Sequence, residues 1–208
     1  MKILVIFAHP SDKSYNYSIL QSVIKGLNEG NHEIKVNELN SLHFEPVLQD
    51  SELYKNEVPH NILKEQDMVT WSELLFFIFP IWWWGPPAIL KGWLERVLCL
   101  NFAYNYDIKQ NKLVGKLQDK KAIIISTASS IPEQHYTELW QIDSHNKLVS
   151  SILSFSGITT IKKFNLYNIH NYTPKEELYL HLKKVYDFVK NLQNFIIEHN
   201  NEREESST

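Results

Sequence analysis

Cysteine is nearly absent from this chain: Cys99 is the only one in 208 residues. One thiol excludes an intrachain disulfide and any cysteine-cluster metal site. The histidines do not fall at metal-ligand spacings, so no metal is expected. Apolar runs of bilayer length, about eighteen residues, are also missing, which excludes a transmembrane helix. An excess of either charge is missing too, with 21 Lys and Arg against 24 Asp and Glu. The formal net charge is −3 and the lysines are scattered, so no basic stripe offers itself to a nucleic acid. The P-loop and the GxGxxG fingerprint do not occur. The start, MKILVIFAHPSD, has too short an apolar core for a signal peptide, and A-H-P-S stands where a small-residue cleavage site belongs. A cytoplasmic protein is expected.

What the chain has is periodicity. Hydrophobic residues make up 43%, enough for one globular domain, read here as 1–199 with a flexible polar tail at 200–208. KILVIFA (2–8), ELLFFIF (73–79) and KKAIIIST (120–127) are continuous apolar runs, as strands buried on both faces require. HEIKVNEL (32–39) and TTIKKFNLYNI (159–169) read as two more strands. Helical spacing appears over 14–30, over 86–100 after a proline pair, and over about 138–155. One short helix is expected within the polar stretch 45–70, and a long one over 173–199 with Thr173 as its N-cap and Pro174 at its first position. Strand alternating with helix predicts an α/β fold: a five-stranded parallel sheet with helices on both faces. The flavodoxin-like order 2-1-3-4-5 fits best, and it puts a ligand beyond the carboxyl ends of the strands.

Three loops leave those ends. AHPSDKSYNYS (8–18) carries His9, Ser14 and Asn16 beside the free amides of a helix start, a ready phosphate site. A Ser14 N-cap with a hydrogen-bonded histidine is the plainer alternative. After the third strand come Pro80, Ile81, Trp82, Trp83, Trp84 and Gly85, whose indoles and amides suit a flat aromatic ring. Tryptophans also serve as core or interface anchors, but three in sequence should turn at least one toward the crevice. STASSIPEQHY (126–136) offers hydroxyl and amide donors, or simply a solvated turn.

FPIWWWGPPAILKGWLERVL (79–98), A-H-x-x-x-x-S-x-N (8–16) and FAYNY (102–106) together resemble the flavodoxin-2 family of NAD(P)H:quinone oxidoreductases over about residues 1–190. That family includes mammalian DT-diaphorases, bacterial modulators of drug activity and ancillary flavoproteins of potassium-efflux systems. The resemblance implies flavin-phosphate contacts at His9, Ser14, Tyr15 and Asn16. It implies ring contacts at Pro80, Ile81, Trp82, Trp83 and Trp84 with Glu95 nearby, and a pyrimidine-edge contact along Thr127, Ala128, Ser129 and Ser130 in place of the family's T-T-G-G. Ala103, Tyr104 and Asn105 would border the substrate, commonly across a homodimer interface. The family's downstream tyrosine–histidine pair is not reproduced; His135 and Tyr136 are the local substitutes for that catalytic role, with a surface role as the alternative. An arginine after the family's T-P, which helps hold the adenylate half of FAD, is replaced by Leu178 or a neighbour, so FMN stands open beside FAD.

The activity so implied is hydride transfer from NAD(P)H through bound flavin to a quinone or similar electrophile, in ping-pong fashion. A flavin-binding regulatory subunit docked on a potassium-efflux transporter is the alternative. A one-electron carrier fits poorly, because such carriers are strongly acidic.

Overall fold

Three uninterrupted apolar runs become the three central strands of the sheet. The structure, a computed structural model, describes residues 1–54, 57–129 and 144–205. β1 (Lys2–Phe7), β3 (Leu74–Pro80) and β6 (Lys121–Thr127) lie side by side, flanked by β2 (Glu33–Glu38) and β7 (Thr159–Leu166) in the order β2-β1-β3-β6-β7. Every neighbouring pair is parallel. All seven residues of β3 are buried, as a strand covered on both faces must be.

Each face has its own core. Ile19, Leu20, Val23 and Leu27 of α1 (Tyr15–Glu29) join Val185 and Val189 of the helix Lys175–Lys190 against one face. α3 (His60–Trp71), α4 (Ala88–Val97) and α5 (Ser144–Phe155) cover the other with Ile62, Trp93, Leu94 and Leu153. The expected sheet order and its two helical layers are therefore what the chain adopts.

Several boundaries differ from expectation. The stretch 45–70 holds two helices, α2 (Asp50–Tyr54) and the start of α3. A hairpin of β4 (Tyr104–Asp107) and β5 (Lys112–Gly115) occupies a segment to which no element was assigned. The long terminal helix is two helices, α6 (Lys175–Lys190) and α7 (Leu192–Glu205). Asn191 separates them: its side-chain amide donates to Asp187 O at 2.8 Å, competing with the backbone ladder. Helical backbone then continues to Glu205, into the stretch read as a polar tail. Thr173 does not cap α6. Pro174 precedes the first turn, and the Thr173 hydroxyl donates to Asn168 O instead.

One buried carboxylate ties sheet to helices. Glu65 Oε2 accepts from Asn37 Nδ2 of β2 at 2.6 Å and from Trp93 Nε1 of α4 at 2.7 Å. Burial pushes the Glu65 carboxyl above its ordinary range, although both donors oppose the shift. Glu65→Leu strands two buried donors and is expected to lower stability by about 3 kcal/mol in urea unfolding, while Glu65→Gln keeps an acceptor and costs less.

Candidate functional site

The parallel register ends β3 and β6 level, with β1 ending opposite Ile78, two residues earlier. Pro80 pairs with Thr127, and the ladder runs one step further through Ile81 N–H to Thr127 O at 2.7 Å. A cleft of about 440 Å³ opens above these ends. His9, Ser14, Tyr15 and Asn16 line it from the first loop, Pro80, Ile81 and Trp82 from the second, and Thr127, Ala128 and Ser129 from the third. The three loops singled out in the sequence thus meet around one space.

Individual roles are narrower than the residue types suggest. The Ser14 hydroxyl is doubly engaged, donating to Ser11 O at 2.8 Å and accepting from Tyr17 N–H at 3.1 Å. It is the N-cap of α1, the plainer of its two readings. Anion-binding capacity therefore rests on the amides of Tyr15 and Asn16, which have no acceptor within the helix. His9 Nδ1 faces both Ser11 N–H at 3.0 Å and Ser11 O at 3.2 Å; in the tautomer that accepts from the amide, Nε2 carries the proton and can donate into the cleft. Burial holds His9 below the usual imidazole range, against the raising effect of the Ser11 carbonyl beside the ring. The Ala128 amide is spent on Leu166 O at 2.9 Å, so it is no free donor for a ring edge.

Asn16 supplies the most telling atom. The residue is 4% exposed; Nδ2 donates to Thr127 Oγ1 at 2.9 Å, while Oδ1 has no partner. A buried acceptor left open costs stability unless something donates to it. A ligand hydroxyl or ring N–H in the cleft is the natural complement, and a flavin nucleotide carries ribityl hydroxyls beside its phosphate. The donor set at the start of α1 and this single acceptor fit such a group.

The tryptophans divide. Trp82 lines the cleft with its ring centroid 5.8 Å from that of His9. Trp83 and Trp84 lie outside the cleft lining, with rings 5.7 Å apart, and Trp83 is 90% exposed. Both have positive φ, 48° and 59°, and Trp82 and Gly85 exchange two backbone hydrogen bonds across them. That is a type I′ turn, a shape that normally selects asparagine and glycine. Two indoles in left-handed backbone store strain of about 1–3 kcal/mol each, as residues at ligand sites often do.

The other implied residues lie elsewhere. Glu95 pairs with Lys91 and lines a second, more apolar cavity of about 820 Å³, together with Tyr104, Cys99 and Phe155. Tyr104 packs edge-on against Phe155 at 4.9 Å. Ala103 is fully buried, and Asn105 is exposed on β4. Ser130, His135 and Tyr136 lie outside the described residues. No group of His, Cys, Asp and Glu among the described residues could hold a metal ion, and no helix among them is long and apolar enough to cross a membrane.

Sequence reasoning missed most of the fourth wall; only Leu178, at the position of the family's adenylate-holding arginine, was singled out. Ile169, His170, Asn171, Thr173, Lys175 and Leu178, from the loop after β7 and the first turn of α6, complete the cleft. The rule that ligands sit beyond strand carboxyl ends applies to this loop as well, and it could have found them. Leu178 contributes its carbonyl, which accepts from Tyr15 OH at 2.7 Å. Burial, and secondarily the charge of Glu177, pushes the Tyr15 phenol far above its ordinary range.

A family described as having a flavodoxin-like fold matches residues 1–188. NAD(P)H dehydrogenase [quinone] 1 of Rattus norvegicus is 28% identical over 202 residues, covering 83% of this chain and 71% of that protein. Smu.1420 from Streptococcus mutans UA159 superposes with a TM-score of 0.81 at 36% identity, covering 92% of this chain and all of the other. An FMN-dependent NADH-azoreductase from Bacillus anthracis, solved in complex with FMN, has a TM-score of 0.73 at 17% identity over 92% of this chain and 98% of its own, a likeness of fold.

His9 makes stability pH-dependent. Its folded-state pKa lies below the 6.5 of the free side chain, so as pH falls through 6.5 the unfolded chain takes up the proton first. His32 and His181 are lowered for the same main reason, burial. Urea midpoints are expected to fall between pH 7 and pH 5 (about the imidazole range), and less steeply in His9→Asn, whose Oδ1 can still accept from Ser11. An identical slope in the variant would remove His9 from this account.

Proposed function

The chain belongs to the family of flavodoxin-like fold matched over residues 1–188 and is an oxidoreductase; from that premise we propose that it passes a hydride from NAD(P)H through a bound flavin to a quinone or similar electrophile. The observation that carries this reading is the convergence of the three strand-end loops on one cleft that keeps an orphaned acceptor at Asn16. FAD is the first choice of cofactor and FMN the alternative.

The protein's own work is placement. Amides at the start of α1, with His9 Nε2–H, would hold the nucleotide's phosphate. Asn16 Oδ1 would take a ribityl hydroxyl. Ile81 and Trp82 would wall the ring, with Trp83 and Trp84 on the neighbouring turn, while Ser129 and Ser130 would donate to charge building at its polar edge. When bound, the isoalloxazine supplies the hydride-accepting and hydride-donating chemistry. NAD(P)H and the electron acceptor would use one seat in turn, which makes the kinetics ping-pong.

The cavity beside Tyr104 has the apolar character of a surface that a second copy could complete, with Tyr104, Ala103 and Asn105 bordering substrate across it. His135 and Tyr136 remain candidates for managing charge during transfer. No feature of the described residues favours a transporter-regulating subunit over an enzyme.

Purified protein is expected to be yellow, to release FAD or FMN on denaturation, to bleach with NADH or NADPH, and to regain colour when a quinone is added. Steady-state double-reciprocal plots should be parallel. A colourless protein that binds neither flavin would sink the proposal.

A further inference from the structure

The wall formed by the loop after β7 and the first turn of α6 carries the one full charge found among the described lining residues. Among the described residues lining this space, Lys175 is the sole lysine or arginine, and no aspartate or glutamate shares the lining. In a chain of net charge −3, a cleft whose described lining holds one ammonium and no carboxylate is biased toward an anion. Lys175 forms no ion pair among the described residues, so its charge is not already committed.

The loop that presents Lys175 is pinned by its own side chains. Asn168 sits at φ 60°, with Nδ2 donating to Glu177 Oε1 at 3.2 Å. His170 Nδ1 accepts from Tyr172 N–H at 3.1 Å, so its Nε2 is the donor to Asn168 Oδ1 at 2.9 Å. His170 N–H donates to Thr173 Oγ1 at 3.0 Å, and that hydroxyl donates to Asn168 O. Tyr15 OH then clamps the first turn of α6 to the start of α1 through Leu178 O. Lys175 therefore stands on the same clamped pair of helix starts that bounds the anion site, and the orphaned Asn16 Oδ1 independently marks the cleft as one that receives a polar ligand.

We propose that Lys175 is the cation that pairs with a phosphate of the flavin nucleotide, so that the cleft separates phosphorylated flavins from riboflavin. This rests on the flavin reading above. The partner chemistry is a phosphate monoester or diphosphate, which FMN and FAD offer in different positions. Lys175 is a positioning residue here; it takes no part in hydride transfer.

The test titrates the full chain with riboflavin, FMN and FAD, following quenching of flavin fluorescence, for wild type, Lys175→Gln and Lys175→Arg. Lys175→Gln should weaken FMN, FAD or both by about tenfold while leaving riboflavin within about twofold, and Lys175→Arg should restore most of the loss. Raising salt to about 1 M should shrink the gap between wild type and Lys175→Gln, which a merely structural role would not do. A loss confined to FAD assigns the contact to the outer phosphate of the dinucleotide; a loss on both assigns it to the inner one. Equal weakening of riboflavin, or no weakening of either nucleotide, overturns the proposal. A wild-type chain that binds none of the three overturns the flavin reading and this inference with it.

Discussion

The site depends on strand register. Because β1, β3 and β6 are parallel neighbours whose carboxyl ends lie within two residues of one another, the three connections that follow them leave the sheet side by side. The bond from Ile81 N–H to Thr127 O carries that alignment past the last strand residues into the loops. Loops far apart in sequence are thereby delivered to one place without needing contacts to find each other. The cost is borne by burial: β3 can hold its position only by being apolar at every residue, since helices cover both of its faces.

Within the cleft, polarity is rationed. Ser14, Thr127 and the Ala128 amide are already engaged in holding the loops in place. What remains among the described lining residues is a small set: a few amides at a helix start, the His9 ring, Ser129, Asn171, one ammonium and the unmet Asn16 carbonyl. Donors outnumber acceptors, and that asymmetry suits a ligand rich in oxygen. The layer between β2 and the helices α3 and α4 provides a contrast. There Glu65 Oε2 takes both Asn37 and Trp93, and it serves cohesion rather than recognition.

The architecture was legible because hydrophobic periodicity and strand-then-helix alternation report directly on burial, and the central strands are extreme cases. Loop chemistry was only half legible. That His9, Asn16 and Trp82 meet follows from topology, but that the Ser14 hydroxyl is consumed locally does not, since residue type cannot say which of several nearby groups a hydroxyl will choose. The tryptophan run read as a ring wall, yet a type I′ turn sends Trp83 into solvent; nothing in W-W-W announces left-handed backbone. Asn191 shows the same limit in a helix, where one side-chain bond divides what apolar spacing presents as continuous. Glu95 and Tyr104 reached the site only by resemblance, and they face a different cavity.

The engagement of Ser14 within its own turn has an implication for how such a protein can vary. Insofar as the anion is gripped by peptide nitrogens, that share of the grip belongs to the backbone path rather than to any side chain. Alanine scanning would pass over it in silence, whereas an imino acid inserted there, or a backbone ester in a semisynthetic chain, would expose it. Lineages could then repaint the walls of the cleft for new electron acceptors while the anchor beneath persists unaltered.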